Sequence, residues 1–434
     1  MKRCATNKAR KVREVRLDKL VPGGEALGTL ENGKKILAWG GLPGELVRCQ
    51  VLKSKSGYER GVVTEVLEKS EFRVETRDDE SYLSTSPWQI LNYDYELQQK
   101  SELIREAFRQ EKIEIATPEV ATDGREYEYR NKMEFGFWWD NETGRVSLAF
   151  YRRGTHGKIP VEGSSLAGRE ISEVAGRVVD LLNELGVEAR SLKTLMMRKT
   201  ASGEVFAQLY VKEVEGWESL TERVAELGVK DFEIIYSDPK SPASVVTQKL
   251  FSLNETMPSD ELLGMRFQYA VEGFFQINLS VYEMVLAEIR ELIETEKVVD
   301  LYSGVGTIGL TVANDKNLTL VEVDEAAGRE LKENAAKLAT GATVMIAKSE
   351  EALEFVDEEA TVIVDPPRAG LHKALVERLL EVQPPIVIYL SCNPTTQARD
   401  VKILLEGYEI ASVKGYNFFP RTPHIENLVV LRRK

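Results

Sequence analysis

The sequence predicts an α/β protein built from a small β-barrel, an α+β middle region and a C-terminal doubly wound parallel sheet. Three observations carry this reading. Beyond residue 266 the apolar runs KVVDLY, NLTLVEV, ATVMIA, ATVIVD and PPIVIYL are each followed by a helical stretch, and such alternation specifies parallel strands with helices on both faces. Residues 11–69 read instead as short alternating segments split by PGGE, ENG, GLPGE and KSG turns, a barrel pattern. The length, 434 residues, is too great for one ordinary domain.

The first part, residues 1–70, places KVREVRL, KKILAW, ELVRCQVLK and RGVVTEVLEK as strands of an OB-like barrel, a form that often holds single-stranded nucleic acid. Residues 1–19 carry eight Lys and Arg against Glu14 and Asp18, in a chain whose net charge is −13. That net charge argues against indiscriminate coating of nucleic acid, because nonspecific affinity comes from cations neutralising phosphates. The basic arm is either a solvated tail or an electrostatic arm for a polyanion. The second part, residues 71–265, mixes helical LQQKSELIREAFRQE and ISEVAGRVVDLLNELG with strand-like KMEFGFWW and VFAQLYVKEV. Its first helix, at about 97–110, is free to pack on either neighbour. The third part, residues 266–434, is the doubly wound sheet.

No apolar run reaches the ~18 residues of a membrane span, and MKRCATNKARK lacks the apolar stretch of a signal peptide. A cytoplasmic protein with no membrane partner is expected. Cys4, Cys49 and Cys392 form no disulfide framework, and His156, His372 and His424 are too dispersed for a zinc site, so no metal is expected.

In open α/β sheets the ligand lies beyond the carboxyl ends of the strands, and those ends are chemically loaded here. DLYSGVGTIGL brings Gly304, Gly306 and Gly309 to a strand-to-helix turn, where the backbone can approach a ligand closely. Glu322 follows Tyr302 by twenty residues, the distance at which an acid accepts hydrogen bonds from a ribose diol. VIVDPPRAG sets Asp365 before two prolines that fix the backbone, either as a helix-entry turn or as a loop holding a planar ring. Cys392, in YLSCNPTTQARD, is either a small buried hydrophobe or a nucleophile. The polar surroundings favour the second, and the N–H groups of the helix that follows are expected to lower the thiol pKa. Methyltransferases acting on bases or amines often have such a proline loop, and a thiolate beside a methyl donor suits pyrimidine C5, which becomes nucleophilic only after something adds to C6.

These residues carry a resemblance. LPGELV and KSGYERGVVTEVLEKSEFRVE, YRNKMEFGF and FYRRGTH, then GFFQIN, DLYSGVGTIGL, DPPRAG, SCNPTTQARD and PHIENLVVL follow one another in the order found in the RNA uracil-C5 methyltransferases, and nearly the whole chain resembles that family. The resemblance implies a TRAM-like RNA-binding barrel and a C-terminal class I methyltransferase domain that uses S-adenosylmethionine to make 5-methyluridine. By position it implies that Cys392 is the nucleophile and Glu426 the base that takes the C5 proton. It implies that Gln276, Tyr302, Thr307, Glu322 and Asp365 line the S-adenosylmethionine site. Thr307 departs from the Asn of many members.

A larger departure lies at DDESYLSTSPWQILNY, where many relatives carry an iron–sulfur pattern of the form CxxxxxCGGCxxQ. Aligning on Gln89 puts Ser86 at the last cysteine of that pattern, and the fourth expected ligand falls near Ser164 and Ser165. Hydroxyls do not replace thiolates as cluster ligands, so no iron–sulfur cluster is expected, and packing of Trp88, Leu91 and Tyr93 is expected to hold the loop. The implied partner is RNA, ribosomal or transfer, bound by a monomer, with Arg130 and Lys132 as RNA contacts or as a charged surface strand. Two rivals stay open at this point: a Rossmann dehydrogenase using the same glycines and Glu322, and a noncatalytic RNA-binding protein.

Overall fold

The structure, a computed structural model, describes residues 11–339 and 341–434; half of the basic arm, with Cys4, lies outside them. Strands β1 (Val12–Leu20), β2 (Ala26–Thr29), β3 (Lys35–Trp39), β4 (Leu46–Ser54) and β5 (Tyr58–Glu68) close into a barrel in the order β1-β2-β3-β5-β4. Closure leaves no unpaired sheet edge. Strand β2 was not expected from the sequence, because its four residues are too few to show a period. Inward-facing Val15, Leu17, Ala26, Ile36, Ala38, Val47 and Cys49 fill the barrel, and Trp88, Ile90 and Leu91 cap the same core from outside it. Cys49 is therefore a packing residue.

After the short helix α1 (Tyr82–Thr85) come α2 (Tyr93–Gln110) and β6 (Val120–Ala121). The helix left free by its sequence packs on the C-terminal sheet: Ile104, Ala107 and Phe108 share a core with Val362, Val364, Val387 and Tyr389. The middle sheet comprises β7 (Lys132–Asp140), β8 (Arg145–Tyr151), β9 (Lys158–Val161), β10 (Leu192–Lys199), β11 (Val205–Val211), β12 (Asp231–Tyr236) and β13 (Gln248–Ser252), in the order β13-β12-β11-β10-β7-β8-β9. Helix α3 (Arg169–Glu184) lies on it through Ile171, Val174, Ala175, Val178, Leu181 and Leu182, the one-face spacing of an amphipathic helix. The small helix α4 (Glu218–Thr221) and the hairpin of β14 (Ser259–Leu262) and β15 (Met265–Gln268) lead to the last part.

There α5 (Leu279–Glu291), β16 (Lys297–Leu301), α6 (Thr307–Ala313), β17 (Asn317–Glu322), α7 (Glu325–Leu338), β18 (Thr343–Ile346), β19 (Ala360–Val364), α8 (Lys373–Val382), β20 (Ile386–Ser391) and α9 (Pro394–Leu404) alternate as expected. Every residue of β19 and β20 is buried, as in parallel strands covered on both faces. The sheet then turns antiparallel. Strands β21 (Tyr408–Tyr416) and β22 (Glu426–Arg433) complete the order β18-β17-β16-β19-β20-β22-β21-β6, with β22 inserted between β20 and β21 and antiparallel to both. No helix among the described residues is long and apolar enough to cross a membrane.

Candidate active site

The insertion of β22 builds the site. Ser391, the last residue of β20, pairs with Asn427 on β22, so Cys392, just past the end of β20, and Glu426, the first residue of β22, lie at the same end of the sheet. The register is pinned by Gln397, whose amide donates to Tyr389 O at 2.8 Å and Asn427 O at 3.0 Å while its carbonyl accepts from Asn427 Nδ2 at 2.6 Å. Asn393 caps α9 by accepting from Thr395 N, and Pro394 opens the helix, a position where its missing N–H costs nothing.

The same NPTTQARD segment fixes the DPPRAG loop beside the cysteine. Asn393 Nδ2 and Thr396 Oγ1 donate to Arg368 O at 2.9 and 3.1 Å, and Arg399 Nη2 donates to Ala369 O at 3.0 Å. Asp400 accepts from Leu371 N and from Tyr389 Oη. Gly370 sits there with φ +86°, and a Cβ on it would lie 2.4 Å from Asp400 Oδ2, so only glycine lets the loop close onto α9. The result is a cleft of ≈ 190 Å³ lined by Cys392, Arg368, Asn393, His424 and, from the barrel, Pro22 and Gly23.

The electrostatics of the cleft overturn one expectation. The thiol of Cys392 is pushed up to about 11, chiefly by burial and then by the charges of Glu426 and Asp365. The helix that follows does not reverse this: Pro394 has no N–H to offer, and Thr395 N is taken by the Asn393 cap. What opposes the rise is Arg368, whose positive charge favours the thiolate. Glu426, 4% exposed, is raised well above the ordinary carboxylate range by burial and by Asp365, with Arg368 again opposing. Burial raises Asp365 likewise. His424 is pushed down to about 4, by burial and then by cations including Arg368, and is neutral near pH 7.

At the other strand ends, Tyr302 adopts φ +68° and its hydroxyl accepts from Ser349 Oγ at 2.8 Å. Glu322 accepts from Gly304 N at 2.8 Å and Asp324 N at 2.7 Å, which holds the carboxylate against the glycine turn. Thr307 Oγ1 meets the buried Tyr282 hydroxyl at 2.6 Å. Gln276 is buried, and its backbone carbonyl accepts from Asn131 Nδ2. Asp300, the first residue of DLYSGVGTIGL, is wholly buried below the turn; its Oδ2 accepts from Gly309 N at 2.9 Å, and its Oδ1 has no partner. Burial raises Asp300 to about 7.

A model of the tRNA (uracil-5-)-methyltransferase family matches residues 92–351 and 352–434. The chain belongs to that family. This methyltransferase is 30% identical over 419 residues to an uncharacterized RNA methyltransferase of Enterococcus faecalis, covering 90% of this chain and 91% of that one. It is 29% identical over 431 residues to another of Clostridium tetani, with 93% of each chain covered. Among solved structures it resembles the tRNA (uracil-54, C5)-methyltransferase of Pyrococcus abyssi, solved with S-adenosyl-L-homocysteine, at a TM-score of 0.79 and 25% identity over 96% of this chain and 100% of that one. The dehydrogenase and noncatalytic alternatives fall with the family assignment.

In the methyltransferase the loop aligned with the cluster pattern is tied by hydrogen bonds around Gln89. Its Nε2 donates to Ser86 Oγ at 2.7 Å, Asp78 Oδ2 at 2.9 Å and Ser165 Oγ at 3.3 Å, while its Oε1 accepts from the N–H groups of Arg77 and Asp78. The two serines aligned with cysteines thus meet across one amide. Trp88 and Leu91 are buried as expected, but Tyr93 is half-buried and bonds Thr122 through its hydroxyl. Among the described residues no group of three or more His, Cys, Asp and Glu is placed to hold a metal ion. Lys132 Nζ donates to the carbonyls of Glu272 and Gly273.

Proposed function

We propose that this chain transfers a methyl group from S-adenosylmethionine to C5 of one uridine in folded transfer or ribosomal RNA, through a covalent bond between Cys392 and C6 of the base. The observation that supports this best is the placement of Cys392 and Glu426 at one end of β20 and β22, with Arg368 lining the same cleft as the thiol. The Pyrococcus abyssi protein, a tRNA (uracil-54, C5)-methyltransferase, makes transfer RNA the first substrate to test. The base must leave its stack to reach the cleft, since C5 and C6 are inaccessible in a helix.

Uracil C5 is a poor nucleophile until a group adds to C6. Cys392 reacts as the thiolate, its proton released to solvent, and its sulfur bonds C6, which places an electron pair on C5. S-adenosylmethionine, when bound, supplies a methyl group on a sulfonium centre and leaves as S-adenosylhomocysteine. Glu426 then takes H5, and the electron pair returning from that C–H bond expels the sulfur from C6, freeing 5-methyluridine.

The residues fit the donor. Gln276, Tyr302, Thr307, Glu322 and Asp365 would hold it, with Glu322 beside the glycine turn for the ribose diol. The orphaned buried Asp300 Oδ1 is an acceptor suited to the ammonium of an amino acid. The barrel would act as a TRAM-like RNA-binding domain of a cytoplasmic monomer that needs no iron–sulfur cluster. Mapping 5-methyluridine in total RNA from cells with and without this chain tests the reading; one lost site names the RNA, and an unchanged map defeats the proposal.

A further inference from the structure

We infer that the barrel is part of the active site: its Pro22–Gly24 turn forms one wall of the cleft that receives the target base, and Trp88 fixes that wall to the segment leading into Glu426. This rests on the covalent reading above and extends it to a part of the chain so far assigned only to RNA binding.

Pro22 and Gly23 line the cleft together with Cys392 and Arg368. A base whose C6 reaches the Cys392 sulfur enters between the two sides. The turn is internally rigid, with Gly24 N donating to Val21 O at 2.9 Å and Val21 N to Glu25 O at 3.0 Å. Glu25 is buried and paired with Arg60 at 2.7 Å. Gly24 touches the catalytic segment directly: its φ is +89°, and a Cβ on it would lie 2.7 and 2.8 Å from the Pro423 ring. Pro423 precedes Glu426 by three residues.

Trp88 joins the two sides. It is 1% exposed; its indole N–H donates to Gly24 O at 3.3 Å and its backbone N–H to Arg421 O at 3.1 Å. The neighbouring Gln89 is the hub of the hydrogen bonds that hold residues 77–89 to Ser165. One rigid loop thus sets the distance between the barrel turn and the catalytic segment, and the width of the cleft depends on it.

The test uses the full chain carrying Gly24→Val, which collides with Pro423, or Pro22→Phe on the cleft wall, which narrows the cleft without touching the core. Turnover on substrate RNA, affinity for that RNA, affinity for S-adenosylhomocysteine, and the rate of adduct formation with 5-fluorouridine RNA are measured. In that RNA fluorine replaces H5, so the base cannot complete the reaction and the Cys392–C6 bond persists. Both variants are expected to lose about tenfold or more in kcat and in adduct rate, the scale of a small misplacement at a reacting centre, with KM and both affinities unchanged. Full turnover in Pro22→Phe overturns the inference, even if Gly24→Val fails to fold. A loss of RNA affinity that matches the loss of turnover also overturns it, because the turn would then be a grip and not a wall. A parent protein that methylates RNA yet leaves no adduct defeats the covalent reading alone, and kcat of the variants still decides the role of the wall.

Discussion

The carboxyl of Asp365 stands near enough to Glu426 that its negative charge adds to the rise burial already imposes on the Glu426 carboxyl. Two such groups do not ionise independently, and the first proton is lost from the pair more easily than the second. A base that must be ionised to take H5 is therefore short of its active form at low pH. The thiol, raised to about 11, is short of thiolate over the same range. Both effects have one sign: kcat is expected to rise with pH from the acid side through neutrality. Asp365→Asn removes a negative charge from beside both groups, so at saturating S-adenosylmethionine its acid limb is expected at lower pH, even though donor affinity falls. A pH profile that moves to higher pH, or does not move, contradicts this coupling.

Gln89 carries a stability prediction. Its amide is buried and serves Ser86, Asp78 and Ser165 together with two backbone N–H groups. Leaving buried donors and acceptors unmet costs roughly 1–3 kcal/mol for each group, so Gln89→Ala is expected to lower the urea midpoint by an amount equivalent to at least ~2 kcal/mol. Protein purified without oxygen is expected to be colourless, with no stoichiometric iron or sulfide. Intact cluster in such a preparation contradicts the alignment of residues 77–89.

Much of this architecture was legible in the sequence because its signals are local. Strand–helix alternation marks β16 to α9, and the loaded strand ends mark Glu322, Asp365 and Cys392, since parallel strands all deliver their carboxyl ends to one side. Glu426 was reached only through its motif, because on its own it reads as an exposed strand-end carboxylate. Its partnership with Cys392 depends on β22 slotting between β20 and β21, which no local pattern announces. Asp300 and Arg368 stand inside quoted motifs and Trp88 is expected to pack, but what each of them touches shows only in the fold. Asp300 matters through burial, Arg368 through its approach to a thiol, and Trp88 through two carbonyls more than sixty and three hundred residues away. The thiol departs from the expectation because burial and the charges of Glu426 and Asp365 act on it only in the folded chain, while Pro394, plain in the sequence, withholds an N–H from the helix's first turn.

Removing residues 1–70 would bare Trp88, Ile90 and Leu91, which share the barrel core, so the arm is better tested by charge. Replacing Lys2, Arg3, Lys8 and Arg10 by Gln is expected to weaken RNA binding and leave S-adenosylhomocysteine affinity unchanged. The slope of log K against log salt is expected to fall by ~0.7–0.9 for every phosphate that the arm no longer neutralises. An unchanged slope makes the arm a solvated tail.

Cys392 and Glu426 are separable by what each leaves behind. Cys392→Ser is expected to abolish methylation while keeping donor binding, because a serine hydroxyl stays protonated and is a far weaker nucleophile than a thiolate. Glu426→Gln removes the base but neither the nucleophile nor the methyl donor. It also removes a negative charge that raises the thiol, so attack on C6 is if anything easier. Addition and methyl transfer then proceed, H5 stays on C5, and the sulfur has no electron pair to expel it. RNA joined to Cys392 is expected to accumulate as a slow band on a denaturing gel, containing the transferred methyl when the donor is labelled there. The Cys392→Ser/Glu426→Gln double variant is expected to show no such band. Near-normal turnover in Cys392→Ser would make Cys392 a half-buried packing residue, and a labelled adduct surviving in the double variant would move the nucleophile elsewhere in the cleft.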